Sequence, residues 1–265
     1  MSNEIAPDPH APIPRHLFKY RSLRGDLKDY VRDLVVDQKF YMASPPTLND
    51  PFEFNPVIDL SATDEQKRRY VRGAMQRLHG DRARSERRLL AKSFNVSSAT
   101  GKGVLAMSYR TTMDQVGVFS MSAKPLDLLM WPHYADNHAG ICVQLAFWGF
   151  VTPEFVPMPV IYRRERPTTN PLLDTPEAML EKAALTKGLP WAYEQEWRIV
   201  LNRQGGQLIK FETPVVSGVI LGARIKPSDR DDVLGWARAC RRPMEVFQAF
   251  FHETDYALEM KPLPL

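Results

Sequence analysis

The sequence predicts an α+β fold, a single domain with a mixed or antiparallel sheet and peripheral helices. Short segments of strand character are scattered along the chain, and the predicted helices do not alternate with them as they would in a doubly wound sheet. No repeat or Gly-Ser linker divides the 265 residues. A hydrophobic fraction of 44% with 25% charged residues is ordinary globular composition and is enough for one sizeable core.

The first residues of the chain differ from the rest. Residues 1–16 are polar, contain four prolines and lack the apolar region of a signal peptide. We expect a mobile leader there and one domain over residues 17–265. Two cysteines are too few for a disulfide framework and suit a reducing compartment. No apolar run reaches the ~18 residues of a membrane span. The sequence therefore predicts a cytoplasmic protein without membrane association.

The first half of the chain begins with a strand and a helix. Leu17–Tyr20 is typical of a strand that ends at Arg21, and apolar residues from Leu27 to Val35 recur at the i, i+3, i+4 spacing of a helix. Asp50 precedes a proline, which keeps it out of the helical region and predicts a turn. The other expected elements are a strand over residues 39–43, one or two helices within 64–92, a Gly/Ser/Thr-rich connection through Gly101 and Gly103, and a strand over 116–122.

The second half predicts more strands and three helices. Leu126–Ala135 predicts a helix that stops near Gly140, and Pro132 would either bend it or mark its first turn and shorten it. Ser228 is expected to cap the last helix, with Asp231 at the capping-box position. The remaining expectations are a helix over residues 177–187 and strands over 141–145, 160–162, 197–201, 208–211, 215–221, 246–250 and 256–260.

The net charge of +4 is local. Residues 64–92 carry ten Lys/Arg against four Asp/Glu, a local charge of +6, whereas the rest of the chain sums to −2. A solvated helical face is one interpretation of this segment. The other is a surface that binds nucleic acid or a protein partner through Arg68, Arg69, Arg87 and Arg88.

Polar and aromatic residues are concentrated between Trp131 and Gly140. If this segment is helical, His133 lies one turn from Asp136 and Tyr134 lies one turn from His138. Such a cluster could orient a general base or hold a metal, as in an acid–base or metal-dependent hydrolase centred on His133, Asp136 and His138. The spacing matches no zinc signature, so no metal is expected. Structural packing of these polar groups is the alternative.

A second charged group follows near residue 194. If Tyr193–Val200 is a strand, its period of two places Glu194, Glu196 and Arg198 on one face. Burying two carboxylates and a guanidinium is costly unless the charges are paired or used. The alternatives are an ion pair between Glu196 and Arg198 at a sheet edge and a chemical role for the carboxylates.

Three further groups are candidates on weaker grounds. Arg21 could bind a phosphate with its planar guanidinium, although a single arginine is more often structural. Asn49, Asp50 and Glu53 belong to the turn around Pro51, and either they shape a rigid loop or one of them faces a pocket. Lys187 is either a further cation of the site or the solvated end of a helix.

The order of these motifs resembles a large family of uncharacterised bacterial proteins described as a domain of unknown function. The resemblance spans about residues 17–260, and its central motif is Met-Trp-x-His-Tyr-Ala-Asp-x-His-x-Gly. Pro132 departs from the expected pattern, in which a small polar residue stands there. The family implies no reaction. The matching segments are Lys19–Ser22, Asn49–Glu53 (Asn-Asp-Pro-Phe-Glu), Phe119–Ser122, Leu129–Ile141, Thr186–Lys187, Trp191–Arg198 (containing Tyr-Glu-x-Glu-Trp-Arg) and Val219–Gly222.

The chain also resembles, more remotely, the mono-ADP-ribosyltransferases of the Arg-Ser-Glu type. In those enzymes an Arg ends the first strand, a Ser-x-Ser lies on a later strand and a Glu-x-Glu follows. Arg21, Ser120–Ser122 and Glu194–Glu196 have the same order here.

This resemblance implies that NAD is the ligand of an ADP-ribosyltransferase-like or NAD-glycohydrolase-like enzyme. Arg21 would bind the pyrophosphate, Ser120 would brace the site, and Glu196 would stabilise the positive charge that develops on the ribose. The three side chains should then share one cleft. A non-enzymatic binding module that uses residues 64–92 and the hydrolase above are the competing hypotheses. The candidate catalytic residues are Glu196, Glu194 and His133, and the candidate NAD-binding residues are Arg21, Ser120 and Tyr134.

Overall fold

A computed structural model of the chain describes residues 4–5, 12–147, 155–211, 215–240 and 242–265. The predicted leader, residues 1–16, lies mostly outside these ranges. The helices are α1 (Leu27–Asp37), α2 (Asp64–Leu78), α3 (Arg84–Ser93), α4 (Ala99–Met113), α5 (Met130–Tyr134), α6 (Pro176–Ala184) and α7 (Pro227–Ala239). Short 3-10 helices cover Pro45–Thr47 and Leu189–Glu194. No helix in the described ranges combines the length and the apolar character needed to cross a membrane.

The strands of the described residues form one large sheet and three small ones. They are β1 (Glu4–Ile5), β2 (Leu17–Arg21), β3 (Lys39–Tyr41), β4 (Val57–Ile58), β5 (Gly117–Ser122), β6 (Ile141–Leu145), β7 (Met158–Pro159), β8 (Ile161–Arg163), β9 (Thr168–Thr169), β10 (Thr186–Gly188), β11 (Glu196–Leu201), β12 (Leu208–Lys210), β13 (Val216–Leu221), β14 (Glu245–Phe251) and β15 (Leu258–Pro262). The large sheet has the order β15-β14-β13-β6-β2-β5-β11-β7. Its strands are antiparallel except for the parallel pair β13 and β14, so the predicted α+β fold with a mixed sheet is confirmed.

Helices cover both faces of the large sheet. Apolar residues of α1 and α7, such as Val35 and Val233, pack on one face against Phe119 and Ile141. On the other face, Trp131 of α5 packs against β2, β6 and β13. Residues of α4 and α6 pack farther along that face, over β5 and β11. The core therefore lies on both sides of the sheet. The central strands of the sheet, β2, β5 and β6, have polar side chains only at a few positions.

Two neighbouring strands of the sheet diverge. β2 pairs with β6 along its whole length, from Leu17 to Arg21, but pairs with β5 only at Phe18 and Ser122, within two strands that are described in full. Beyond this pair the backbones separate, and the gap between β2 and β5 opens toward Arg21. The divergence creates space in the middle of the sheet.

The predicted connection through Gly101 and Gly103 is wrong, because this segment is the start of α4. The hydroxyl oxygen of Ser98 accepts a hydrogen bond from the Gly101 N–H at 3.0 Å and caps the helix. Gly101 is needed there because a Cβ at this position would lie 2.0 Å from the carbonyl oxygen of Asn95. Glycine in this segment therefore allows close packing and does not break the helix.

The helix predicted over Leu126–Ala135 is shorter than expected. The Asp127 carboxylate accepts hydrogen bonds from the N–H groups of Leu129 and Met130, so the helix starts only at Met130. Pro132 is its third residue, where the missing N–H removes no helical hydrogen bond, because the first four N–H groups of a helix have no carbonyl partner.

Two other predicted elements differ in their ends. Ser228 does not cap α7: Lys226 is the N-cap residue, Pro227 occupies the first position, and no side chain accepts a capping hydrogen bond. Proline is favourable at that position because its φ suits the helix. The helix predicted over residues 177–187 ends at Ala184, and β10 follows it.

Candidate functional site

A cavity of about 550 Å³ opens between β2 and β5 where these strands diverge. Side chains from β2, β5, α1 and α5 line it, together with those of the segments around residues 49–53 and 187–196. The sheet order brings these distant parts of the sequence together. The six residues predicted as site residues all line this cavity: Arg21, Ser120, His133, Tyr134, Glu194 and Glu196.

Arg21 lies at the end of β2 and is half-buried in the cavity wall. Its guanidinium forms no ion pair or hydrogen bond with any residue that the structure describes. Burial lowers the pKa of Arg21 to about 10, and the phenol of Tyr41 raises it slightly. A guanidinium that is partly removed from water and has no counter-ion attracts a carboxylate or a phosphate.

Five ionisable side chains pack together in and behind the cavity wall, and we call them the buried charge cluster: Glu53, Lys187, Glu194, Glu196 and Arg198. The Lys187 ammonium lies 2.8 Å from Glu53, 2.6 Å from Glu194 and 3.3 Å from Glu196. Arg198 donates to both carboxylate oxygens of Glu196 at 2.8 Å and to Glu53 at 3.0 Å. No side chain of the cluster is more than 6% exposed. With all five groups ionised, three carboxylates face two cations and the net charge is −1.

The two carboxyls of the Glu-x-Glu motif ionise differently. Burial, followed by the negative charge of Glu196, raises the pKa of Glu194 to about 6. Burial also disfavours the Glu196 carboxylate, but the charges of Arg198 and Lys187 and hydrogen bonds from Arg198 and Ser120 outweigh it and hold its pKa well below the usual range. Glu196 is therefore a fixed negative charge, and Glu194 is the carboxyl that can exchange a proton near neutral pH.

The period-two prediction for this segment is partly right. Glu196 and Arg198 share one face of β11, and both side chains are buried inside the sheet, not at its edge. Glu194, however, ends a 3-10 helix, and Gln195 has a left-handed backbone with φ 44°. The Glu194 carboxylate therefore reaches Lys187 from the turn before β11, and not from the strand face that carries Glu196 and Arg198.

Tyr134 and His133 connect α5 to the site. The Tyr134 hydroxyl donates to Glu194 at 2.6 Å and accepts from the side-chain amide of Asn49 at 2.8 Å. His133 is exposed, and its Nδ1 lies 2.8 Å from the Tyr193 hydroxyl. Tyr134 is thus part of a hydrogen-bonded chain that ends on Glu194, whereas His133 lies at the solvent side of the cavity.

Asp136 and His138 do not join this site. α5 ends at Tyr134, and Asp136–His138 have left-handed backbones with φ of 51°, 50° and 71°, so the helical spacing expected for them is wrong. Asn, Asp and His tolerate this conformation better than most residues. Asp136 pairs with Arg24, and the buried His138 ring stacks on Trp131. The three residues of the hydrolase hypothesis therefore lie in three different surroundings.

The left-handed turn supports the end of β2. Gly140, which closes it, lies so near the strand that a Cβ would be 2.2 Å from the Arg21 carbonyl oxygen. The Gly140 N–H donates to the Ala135 carbonyl at 2.8 Å. The segment from Trp131 to Gly140 thus fixes the backbone at Arg21 and delivers Tyr134 to the cavity.

Both interpretations of the Asp-Pro turn apply, each to different residues. Asp50 shapes the loop, because its carboxylate accepts a hydrogen bond from the Phe52 N–H at 2.9 Å. Asn49 and Glu53 reach the cavity. The expectation of a solvated helix end at Lys187 is wrong, because this residue lies in β10 and is buried by its three carboxylate partners.

Several cavity residues were not predicted from the sequence as site residues, among them Lys19, Tyr30 and Tyr41. Lys19 precedes Arg21 by two positions on β2, and Tyr30 and Tyr41 form a tilted ring pair with centroids 5.4 Å apart. The strand period gives a signal for Lys19, since alternate residues share a face. Tyr30 and Tyr41 carry no such signal, because α1 and β3 meet at the cavity only after folding.

The basic segment forms α2 and α3, as predicted. Arg87 donates to the carbonyls of Gly80 and Arg82, so it holds the turn between the two helices and is engaged within the protein. A second cavity of about 590 Å³ lies along one face of α2. Its lining residues are Gln66, Arg69, Tyr70, Gly73, Arg77, Leu172 and Leu173.

Residues 130–199 match the family described as Protein of unknown function (DUF2971). The match covers about a quarter of the chain, from the start of α5 into β11, and includes His133, Tyr134, Glu194 and Glu196. It supports the predicted resemblance to an uncharacterised family. No curated protein and no solved structure matches the chain.

Proposed function

We propose that the cavity between β2 and β5 binds NAD and that the protein is an ADP-ribosyltransferase-like or NAD-glycohydrolase-like enzyme. The observation that carries this proposal is that Arg21, Ser120 and Glu196 line one cavity. The similarity to Arg-Ser-Glu transferases requires this convergence, and the three residues are far apart in sequence. The cavity volume of about 550 Å³ is also within the usual range of small-molecule sites.

The charge at Arg21 supports a nucleotide as the ligand. An unpaired guanidinium in the cavity wall binds a pyrophosphate through two parallel hydrogen bonds. The nearby pair of Tyr30 and Tyr41 offers ring faces on which a base can stack. A dinucleotide has both of these groups.

The buried charge cluster supports cleavage of the bond between nicotinamide and ribose. Positive charge develops on the ribose as nicotinamide leaves, and the buried charge cluster, with its net charge of −1, stabilises it. Glu196 supplies the fixed negative charge. Glu194, with a pKa of about 6, would accept the proton of the attacking water or acceptor group.

The binding part of this proposal is tested with Arg21→Met. Since Arg21 has no described partner, the variant should fold normally and lose a charge-assisted hydrogen bond to the ligand, which weakens NAD binding about 10- to 100-fold. Arg32→Met changes an exposed arginine of α1 outside the cavity and should bind like the wild type. Titration calorimetry with NAD measures both affinities. Equal affinity of wild type and Arg21→Met would refute the assignment of Arg21.

The catalytic part is tested by nicotinamide release from NAD, with and without cell extract as a source of acceptors. Glu196→Gln should abolish release. This variant also removes a charge from buried ion pairs, so circular dichroism must show that it is folded. If wild-type protein that binds NAD yields neither nicotinamide nor a labelled product, the enzymatic proposal is wrong.

A second candidate function is nucleic-acid binding by the basic segment. The cavity along α2 favours it, because Arg69 and Arg77 flank Tyr70, and cations beside an aromatic ring suit a single strand with stacked bases. The exposed ion pair of Arg69 with Glu65 is weak and leaves the guanidinium available to a phosphate. Arg68 and Arg88 add exposed charge on the same two helices.

This candidate predicts salt-dependent binding of a single-stranded oligonucleotide. Arg69→Gln with Arg77→Gln should reduce the slope of log affinity against log salt by about 0.7 for each phosphate that the arginines neutralise in the wild type. Lys226→Gln with Arg238→Gln removes the same charge from the surface of α7 and should leave the slope unchanged. Fluorescence anisotropy at several salt concentrations measures the slope. Identical slopes in both double variants would exclude the α2 surface as the binding site.

A further inference from the structure

The cavity contains a second cation of β2, Lys19, whose surroundings differ from those of Lys187. Lys187 is held by three carboxylates, whereas Lys19 forms no ion pair with any residue that the structure describes. Its Nζ donates to the Ser120 carbonyl at 2.5 Å across the gap between β2 and β5. It also lies 4.8 Å from the centre of the Phe119 ring. Lys19 is therefore a half-buried amine that contacts no carboxylate among the described residues.

The surroundings of Lys19 disfavour its ammonium form, chiefly through burial. Burial lowers its pKa well below the usual value, and the positive charge of Arg21 on the same strand lowers it further. From β11 and the turn before it, Arg198 acts in the same direction, while Glu196 and Glu194 oppose it. A lysine that is desolvated and close to another cation is the arrangement that gives a nucleophilic amine near neutral pH.

Lys19 and Arg21 are also suitably placed relative to each other. They are alternate residues of β2, so their Cα atoms are about 6.5 Å apart on one side of the strand. Both side chains line the cavity. Among the described residues, the Lys19 amine forms no ion pair with an acid and the Arg21 guanidinium has no counter-ion within contact. A small molecule with a carbonyl group and a phosphate could contact both at once.

We infer that Lys19 is a carbonyl-reactive amine and that the cavity accepts a phosphorylated aldehyde or sugar, whose phosphate binds Arg21. The Nζ lone pair attacks the carbonyl carbon, and a carbinolamine forms as the carbonyl oxygen takes up a proton. Loss of water then gives an imine, so that the carbonyl oxygen leaves with the two hydrogens of the amine. No oxidant or reductant takes part. This activity goes beyond the proposed use of NAD and does not depend on it.

The test uses pyridoxal 5′-phosphate as the probe, with borohydride to reduce the imine to a stable secondary amine. Peptide mapping by mass spectrometry should find Lys19 modified before exposed lysines such as Lys102 and Lys226. Pyridoxal without the phosphate should react much more slowly at Lys19. Arg21→Met should slow the phosphorylated probe about tenfold or more. It should slow the unphosphorylated probe less, because for that probe only the effect of the Arg21 charge on the Lys19 pKa is lost.

Two results would overturn the inference. One is labelling of Lys19 in the wild-type protein no faster than that of Lys102, which requires no variant to fold. The other is wild-type labelling of Lys19 in Arg21→Met, which would separate the amine from the phosphate. Because labelling requires no turnover of NAD, either outcome is distinguishable from failure of the proposed NAD activity.

Discussion

Only Gln195 separates Glu194 from Glu196 along the chain. The two carboxyls nevertheless ionise differently, because their partners differ. Glu196 accepts two hydrogen bonds from Arg198. Arg198 is fully buried, so its positive charge stays beside the Glu196 carboxylate. Glu194 shares Lys187 with two other carboxylates. Burial and the negative charge of Glu196 outweigh the effect of Lys187, and the pKa of Glu194 is raised to about 6.

The raised pKa of Glu194 predicts a specific dependence of stability on pH. The unfolded chain releases this proton near the ordinary pKa of a glutamate, and the folded protein keeps it until about pH 6. In this window the folded state binds more protons, so the free energy of unfolding falls as the pH rises. Glu196 acts in the opposite sense: its contribution is present above its unfolded-state pKa and is lost on acidification.

Glu194→Gln should remove the first effect and leave the second. Relative to this variant, the wild type should lose about 1–2 kcal/mol of unfolding free energy between pH 4.5 and 6.5. Urea titrations across this range measure the difference. Glu177→Gln, on the exposed first turn of α6, is the matched control and should follow the wild type. Parallel curves for wild type and Glu194→Gln would contradict the assigned pKa.

Part of this cluster was predictable from the sequence. The strand period alone places Glu196 and Arg198 on one face, and their ion pair follows from that. The approach of Lys187 and Glu53 was not predictable, because the loop at residue 53 and β10 meet β11 only in the folded molecule. The sequence pattern at Lys187 resembles a helix end, and its true environment depends on carboxylates supplied by other elements.

At the scale of the elements, the segment from Trp131 to Gly140, which is the most specific motif of the sequence, supports the site. α5 begins only at Met130, because the Asp127 carboxylate accepts hydrogen bonds from the Leu129 and Met130 N–H groups. After α5 the chain makes a left-handed turn that Gly140 closes against β2. Each left-handed non-glycine residue costs about 1–2 kcal/mol, which packing of Trp131 and Ala135 in the core must offset. The turn therefore maintains the backbone position at Arg21.

Gly140→Ala tests this support. Its Cβ would overlap the Arg21 carbonyl oxygen, so we expect the variant to lose roughly 1–3 kcal/mol of stability and to bind NAD more weakly. Gly235→Ala, on the exposed face of α7, meets no atom and should gain about 0.5–1 kcal/mol. Urea denaturation and NAD calorimetry measure both effects. Unchanged stability and affinity in Gly140→Ala would show that the turn has no such role.

Most strands and helices were predictable from apolar periodicity, and the errors have local causes. Gly101 has the appearance of a helix-breaking residue in the sequence, although it allows the start of α4 to pack against Asn95. The spacing of the polar residues Asp136–His138 fits a helix. Residue spacing does not reveal, however, that the backbones of these residues are left-handed. Ser228 has the features of a helix cap, although Pro227 begins α7. In each case a contact or a backbone angle, invisible in composition, decided the outcome.

At the scale of the whole molecule, the divergence of β2 and β5 creates the site. The sheet order places β2, from the start of the chain, between β6 and β5, and β11 beyond them. Arg21, Ser120 and Glu196 thus come from three neighbouring strands around one gap. The order of the motifs along the sequence suggested this grouping. The gap itself was not predictable, since it exists because β2 and β5 pair only at Phe18 and Ser122 and separate beyond that pair.

The most direct measurement is a crystal structure of the protein with a non-hydrolysable NAD analogue. The pyrophosphate should lie within hydrogen-bonding distance of the Arg21 guanidinium, with the nicotinamide ribose against the wall that contains Ser120 and Glu196. An analogue bound elsewhere, or bound in this cavity with its pyrophosphate away from Arg21, would contradict the assignment of the cavity between β2 and β5 as the NAD site.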